Sequence, residues 1–302
     1  MAGLVRELHA ARVGQRPRGR PGVKSTADLA AEQAAFWNGP GGQGWLAAYQ
    51  RIQRSLVDIN RVVLAHADVR PGERLIDVGC GTGDTTAALA AAVGPTGRVL
   101  GLDISEPLIE AARANAARNA SFVVGDAATH SFEAGAFDLV FSRFGVMFFG
   151  EPVSAFRNLH RALKSSGRLA FVCWRTPQEN PWGLVPVRAA APFLPPLPKL
   201  GPEDPGQYSF GDRARVERIL MEAGFAALSL KPLDVPIFMG KDVAEVVANA
   251  DRFGPLARAF AEATPEAADK ARAAITEVLA PHAKPEGVLL PGACWLVSAK
   301  AS

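Results

Sequence analysis

The chain has 302 residues, 48% of them hydrophobic and 21% charged, which is ample material for a sizeable core and enough length for one large α/β unit or about two domains. Its net charge of +3 is unevenly placed: residues 1–24 hold six Arg/Lys and one acid, a local +5, so the remaining body is mildly acidic at −2. That balance argues against a nucleic-acid footprint, and the lack of an uncharged apolar run of about 18 residues argues against membrane insertion.

The three cysteines, Cys80, Cys173 and Cys294, stand far apart. An odd number without metal-ligand spacing fits buried thiols in a reducing compartment, not a disulfide framework or a zinc site. No metal is expected. The N-terminus lacks the apolar stretch and small-residue cleavage site of a secretory signal, so a cytoplasmic protein is the expectation.

Residues 1–24 include Arg-Pro-Arg-Gly-Arg-Pro-Gly at 16–22. Such a segment buries too little surface to order itself. An RNA-binding arm or a targeting peptide would use similar residues, but no aromatics interleave the arginines. A disordered basic tail is the expectation. Residues 25–37 should form a helix, with Ser25 and Asp28 as its capping pair. Asn-Gly-Pro-Gly-Gly-Gln-Gly at 38–44 reads as a flexible loop between Trp37 and Trp45. A second helix is predicted from Leu46, Tyr49, Ile52, Leu56, Ile59 and Val63, ending at Arg-Pro-Gly, 70–72. Residues 25–70 thus read as an N-terminal helical cover.

An alternation then begins. Strands are predicted at 74–78, 98–103, 121–124, 137–142 and 168–174. Helices lie between them at 84–93, from Ser105 and Pro107 onward, and along Val153, Phe156, Leu159 and Leu163. Strands alternating with helices of this length imply right-handed crossovers and an α/β, doubly wound parallel sheet. The proline-rich stretch 176–210 reads as an irregular insertion. A helix at 212–223 and a long strand region at 225–238 follow. Two helices near 242–260 and 265–280 precede a closing apolar strand around 293–299. Residues 71–302 therefore read as one domain carrying cap insertions at about 176–210 and 240–284.

The whole chain is organised around residues 75–83, Leu-Ile-Asp-Val-Gly-Cys-Gly-Thr-Gly. A strand ends there in three glycines, which allow a tight turn and a close approach of backbone to ligand. Two ligand classes compete for such a turn in the first βαβ unit. The spacing Gly79-x-Gly81-x-Gly83 is not the G-x-G-x-x-G that seats a pyrophosphate. Asp84 at the helix start opposes a diphosphate, and Asp77 inside the strand suits the cationic methionine end of S-adenosylmethionine (SAM). Asp103 at the end of the second strand can accept both hydroxyls of a ribose. Asp126, in Gly125-Asp126-Ala127 after the third strand, can accept from an adenine amino group. Three acids at three successive strand ends point to adenosine, and the glycine spacing points to SAM.

With these residues in view, the chain from about residue 31 to 300 resembles the class I SAM-dependent methyltransferases, most closely the bacterial small-molecule group related to ubiquinone/menaquinone C-methyltransferases. Asp77-Val78-Gly79-Cys80-Gly81-Thr82-Gly83 looks like the family's first motif. Asp103-Ile104 falls where the family binds ribose, and Gly125-Asp126-Ala127 where it binds adenine. Phe137-Asp138-Leu139-Val140 with Ser142-Arg143-Phe144 looks like the fourth-strand motif, whose end lies near the transferred methyl. Leu163–Leu169 resembles the family's L-K-P-G-G-x-L turn, with Ser165-Ser166 replacing Pro-Gly. The resemblance implies a Rossmann-like seven-stranded sheet with only the last strand antiparallel, SAM as cofactor, and in-line methyl transfer to a small molecule. Asp77, Gly79, Gly81, Thr82, Gly83, Asp103, Ile104, Gly125, Asp126, Ala127 and Ser142 are its implied cofactor-binding residues.

The acceptor is less legible. Arg143, Phe144 and Met147 follow strand four, Trp174 and Arg175 follow strand five, and Trp37, Trp45 and Tyr49 flank the glycine-rich loop of the cover. These eight are the candidates to face it. Two arginines at adjacent strand ends favour an anionic or carboxylate-bearing acceptor, and the largely apolar covers favour a small hydrophobic or amphipathic one. His66, His130 and His160 are nearby bases, but none sits in a recognisable dyad and no catalytic residue is assigned. A SAM-binding protein without methyl transfer and an NAD(P)-dependent oxidoreductase are the alternatives.

Overall fold

The computed structural model describes residues 26–197, 201, 203–252 and 256–301; the predicted basic tail and the Ser25 cap lie outside them. The chain begins with α1 (Thr26–Asn38), α2 (Pro40–Ala47), α3 (Tyr49–Ser55) and α4 (Val57–His66). The expected flexible loop at 38–44 is mostly helix. A Cβ on Gly41 would come within 2.3 Å of the Phe36 ring, and one on Gly42 within 2.2 Å of the Trp37 carbonyl oxygen. Glycine there serves close packing of α2 on α1 rather than flexibility. The single helix expected from 46 to 63 breaks at Ala48 and Leu56, both near ψ 4°.

The alternating region follows the sequence closely. It runs β1 (Arg74–Val78), α5 (Asp84–Val93), β2 (Arg98–Asp103), α6 (Glu106–Ala114), β3 (Ala120–Val124), β4 (Phe137–Arg143), α7 (Pro152–Ala162) and β5 (Leu163–Trp174). These five strands pair in parallel in the order β3-β2-β1-β4-β5. Their cores are apolar because helices cover both faces: Leu75, Leu139, Phe141, Leu169 and Phe171 are fully buried. β5 starts five residues before the predicted Arg168. Leu163 pairs with Phe137 and Arg168 with Leu139, so the Lys-Ser-Ser-Gly stretch is absorbed as an irregularity.

The second half comprises α8 (Pro181–Ala190), α9 (Arg213–Glu222), β6 (Phe225–Gly240), α10 (Val243–Ala248), α11 (Leu256–Glu262), α12 (Pro265–Leu279), the two-residue β7 (Ala283–Lys284) and β8 (Gly287–Ala301). β8 inserts between β5 and β6 and runs antiparallel to both. The predicted sheet is therefore present, with the short β7 added against β8. The expected irregular insertion contains α8, in which Pro181 occupies the first turn and Pro186 sits inside; proline is tolerated at the first but costs a backbone hydrogen bond at the second. The predicted helix 242–260 is two helices, α10 and α11.

Two apolar cores result. The larger holds the sheet, α4, α5, α7 and α9. The smaller gathers α8, α10, α11 and α12 around Ile275, Leu279, Val288 and Leu290. The helices of both insertions thus pack on one another, over the carboxyl end of the sheet.

Candidate active site

The turn after β1 carries the site. Gly79, Gly81 and Gly83 have φ of +67°, +55° and +85°, a region that L side chains rarely adopt. The amides of Gly79 and Cys80 both donate to the Leu102 carbonyl, at 2.8 and 3.2 Å, which binds the turn to β2. Asp103 completes the junction. One carboxylate oxygen accepts from the Gly81 amide at 2.8 Å and the other from the Ser105 amide at 2.9 Å. Burial pushes its pKa up, against these backbone donors. Asp126, beyond β3, accepts from the Ala128 amide at 2.8 Å with Oδ1.

Other expected cofactor residues stand behind the surface. Asp77 is fully buried, and its Oδ2 accepts from the Thr85 and Thr86 hydroxyls at 2.7 and 2.6 Å. Its Oδ1 has no partner among the described residues, and burial raises its pKa to about 6. It anchors the start of α5. The Thr82 hydroxyl donates to Asp84 at 2.8 Å. Ser142 is fully buried; it donates to the Val78 carbonyl at 2.8 Å and accepts from the Gly145 amide at 3.2 Å. Gly83 packs against Phe122 and Ala112. Gly79, Gly81, Asp103, Ile104, Gly125, Asp126 and Ala127 line the cavity; Asp77, Thr82, Gly83 and Ser142 brace it.

The N-terminal helices close over this edge through polar contacts that the sequence pattern did not expose. Tyr49 donates to Asp84, and this bond, with burial, raises the phenol pKa to about 12. Gln53, one turn further along α3, donates to the same carboxylate at 3.1 Å. Arg143, at the end of β4, donates from Nη1 to Gln53 Oε1 at 3.2 Å and to Asn60 Oδ1 at 2.9 Å. The Ser105 hydroxyl donates to the Trp37 carbonyl at 2.7 Å. The Asn38 amide donates to the Ile104 carbonyl and accepts from the Glu106 amide, both at 2.9 Å. Gln53, Asn60 and Asn38 carry no motif; only the i, i+4 spacing of Tyr49 and Gln53 hints at a shared face.

A continuous cavity of about 360 Å³ extends from Asp103 and Asp126 to an apolar chamber under α8, α10 and α12. Its two ends meet where the Phe144-Gly145 turn abuts Gly79. Phe144 has φ +63°, an uncommon conformation for a bulky residue, and stacks on Trp174 at 4.5 Å and 9°. Trp174 in turn contacts Trp182 at 4.7 Å. Trp37, Trp45, Arg143, Phe144, Met147 and Trp174 all line the cavity. Tyr49 is bonded to the turn instead. Arg175 does not face the cavity: it pairs with Glu179 and with Asp234 and lies over the Trp295 ring. Its expected role for an anionic acceptor therefore has no geometric support. His66, His130 and His160 are outside the cavity lining. Among the described residues no cluster could hold a metal ion, and no helix is long and apolar enough to cross a membrane.

Residues 76–171 match the family model described as a methyltransferase domain. A 118-residue stretch, 38% of this chain, is 41% identical to the demethylmenaquinone methyltransferase of Staphylococcus aureus and covers 48% of that protein. The chain thus spans about half the length of the curated relatives it matches. Among solved structures, phosphoethanolamine N-methyltransferase 2 of Haemonchus contortus in complex with S-adenosyl-L-methionine aligns with a TM-score of 0.55 and 17% identity, over 93% of this chain and 61% of that one. The YcgJ protein of Bacillus subtilis aligns at 0.53 and 18%, over 81% and 98%. These two likenesses concern the fold.

Proposed function

Taking residues 76–171 as a methyltransferase domain of the class I type, we propose that this chain transfers a methyl group from SAM to a small acceptor with an apolar body. One continuous cavity carries this reading: acids suited to adenosine line one end, an apolar, aromatic-walled chamber forms the other, and they meet at Gly79 and Phe144-Gly145. The cavity fits the cofactor's chemistry, since a Cβ added at Gly81 would find nothing nearer than 3.9 Å, leaving its backbone open to a ligand. SAM, when bound, supplies a methyl group on a sulfonium, whose thioether leaves without needing an acid.

The chain's own residues bind, orient and exclude water. Asp103 accepts from ribose hydroxyls and Asp126 from the adenine amino group. Asp77, Thr82 and Ser142 hold the turns on which those contacts depend. Aromatic faces at Trp37, Phe144 and Trp174 attract cationic charge, worth ~1 kcal/mol or more when desolvated. The α1–α3 cover keeps water from the junction. Fixed proximity and alignment then supply much of the rate. In this reading residues 25–70 and the insertions near 176–210 and 240–284 are the covers of a domain spanning 71–302, and the buried thiols suit a reducing, cytoplasmic setting.

Calorimetry with SAM, S-adenosylhomocysteine and NAD, followed by a search for S-adenosylhomocysteine release over a panel of small acceptors, tests the proposal. Binding of the two adenosyl ligands with turnover on at least one acceptor is expected. Binding of NAD alone would make the protein an oxidoreductase. SAM binding without turnover on any acceptor would make it a binding protein of this fold.

A further inference from the structure

The apolar chamber holds one charged group that nothing in the methyl-transfer site uses. Arg51 lines the cavity from α3, together with Ile52, Ser55 and Leu56. The two faces of α3 do different work. Tyr49 and Gln53 point to Asp84 at the donor turn. Arg51 is two residues on from Tyr49, roughly 200° around a helix of 3.6 residues per turn, and faces β6 and α10. Ser55, on the same face, donates to the Phe238 carbonyl at 2.6 Å, which docks α3 on β6.

Arg51 is partly buried, and its guanidinium makes no hydrogen bond or ion pair among the described residues. Among the other polar side chains of the lining, Asn249 donates to the Glu245 carbonyl at 2.7 Å, and Gln207 to the Tyr208 hydroxyl at 3.2 Å. Arg143 is committed to Gln53 and Asn60, and Arg175 to Glu179 and Asp234. Burial lowers the basicity of Arg51, Glu245 offsets this and Arg252 adds to it, yet a guanidinium remains charged. Half-buried arginines normally find an acceptor, and the planar fork matches a carboxylate in a bidentate pair.

We propose that Arg51 is a specificity-determining residue that receives the carboxylate of the acceptor, so that the substrate class is a monocarboxylate with an apolar body. Among the described residues, Arg51 is the one unengaged guanidinium in the cavity lining, with Glu245 and Arg252 both near it, and its planar fork matches a single carboxylate. This rests on reading the apolar end of the cavity as the acceptor chamber.

The test is calorimetric, on the full chain with and without S-adenosylhomocysteine. The probes are decanoate and 2-naphthoate, each beside its neutral carboxamide. At least one carboxylate should bind about tenfold more tightly than its amide, the scale of a charge-assisted pair. R51Q should remove that preference while amide and S-adenosylhomocysteine affinities hold, which also shows the variant is folded. R51K should keep part of it, and R61Q, on an exposed part of α4, all of it. No preference in the wild type, or a preference that survives in R51Q, overturns the proposal. So does loss of S-adenosylhomocysteine binding in R51Q alone, which would assign Arg51 to the donor's own carboxylate. A carboxylate preference without any S-adenosylhomocysteine binding would instead overturn the methyltransferase reading and leave the anion site standing.

Discussion

Gly145 and Gly79 touch backbone to backbone: a Cβ on Gly145 would stand 2.8 Å from the Gly79 Cα and 2.6 Å from the Val78 carbonyl oxygen. The turn that follows β4 is therefore clasped against the turn that follows β1, and the two ends of the cavity meet at that clasp. Gly145→Ala must push the two turns apart. Overpacking of this kind costs ~1–3 kcal/mol, and SAM affinity should fall with it. Urea denaturation and calorimetry on the same variant check both; unchanged values would mean that the clasp yields freely. Gly79→Ala should be worse, because its φ of +67° adds backbone strain to the collision.

Tyr49→Phe removes the hydroxyl that joins α3 to Asp84 and leaves the ring in place. Loss of one hydrogen bond to a charged group should cost ~1–3 kcal/mol of stability. Gln53 and Thr82 still bond to Asp84, so the turn itself should survive. A fall of several-fold in SAM affinity with little change in the affinity of the apolar probes is expected, read by titration of the two ligand types.

Asp103→Ala strips acceptors from the Gly81 and Ser105 amides and, under the proposed function, from the ribose of SAM. SAM binding should weaken by ~1–3 kcal/mol, the cost of leaving polar groups unpaired. The comparison that isolates the ribose uses SAM and methionine: only SAM should lose affinity beyond what the loosened turn explains. An unchanged SAM affinity would remove Asp103 from the site.

Asp77 supplies a pH dependence with a definite sign. Its folded-state pKa, about 6, lies above its ordinary value because burial disfavours the charge. Between the two values the folded chain binds more protons than the unfolded one, so this group's contribution to stability falls as pH rises through that window. Asp77→Asn cannot ionise, and its side-chain oxygen can still accept from Thr85 and Thr86. The stability of the variant relative to wild type should therefore increase from pH 4 to pH 7. Paired denaturation curves at several pH values measure it; a flat difference would show that Asp77 keeps its ordinary pKa.

The sheet and the glycine-turn end of the cavity were legible in the sequence because their signals are local. A glycine turn between strand and helix, with acids ending the strands at Asp103 and Asp126, needs only a few neighbouring residues to be recognised, and Gly79, Gly81, Asp103 and Asp126 all line the cavity. The helix in 38–44 was not legible. Four glycines there read as freedom of the chain, whereas Gly41 and Gly42 are needed because Phe36 and Trp37 lie against them. The difference is invisible until α1 and α2 are packed.

The same physics divides the site. Hydrophobic alternation and the strand-end residues determined which strands form and which ends carry Asp103 and Asp126, since both follow from short-range backbone and side-chain preferences. Which arginine lines the cavity depended on tertiary structure. Arg143 and Arg175 look equivalent at the ends of β4 and β5, but Asp234 and Glu179 take Arg175 away from the cavity. Arg51, without any motif, is turned into the chamber by the docking of α3 on β6, across nearly two hundred residues of chain. Where a charge is stabilised depends on the partners that folding brings to it, and those partners lie outside any local stretch of sequence.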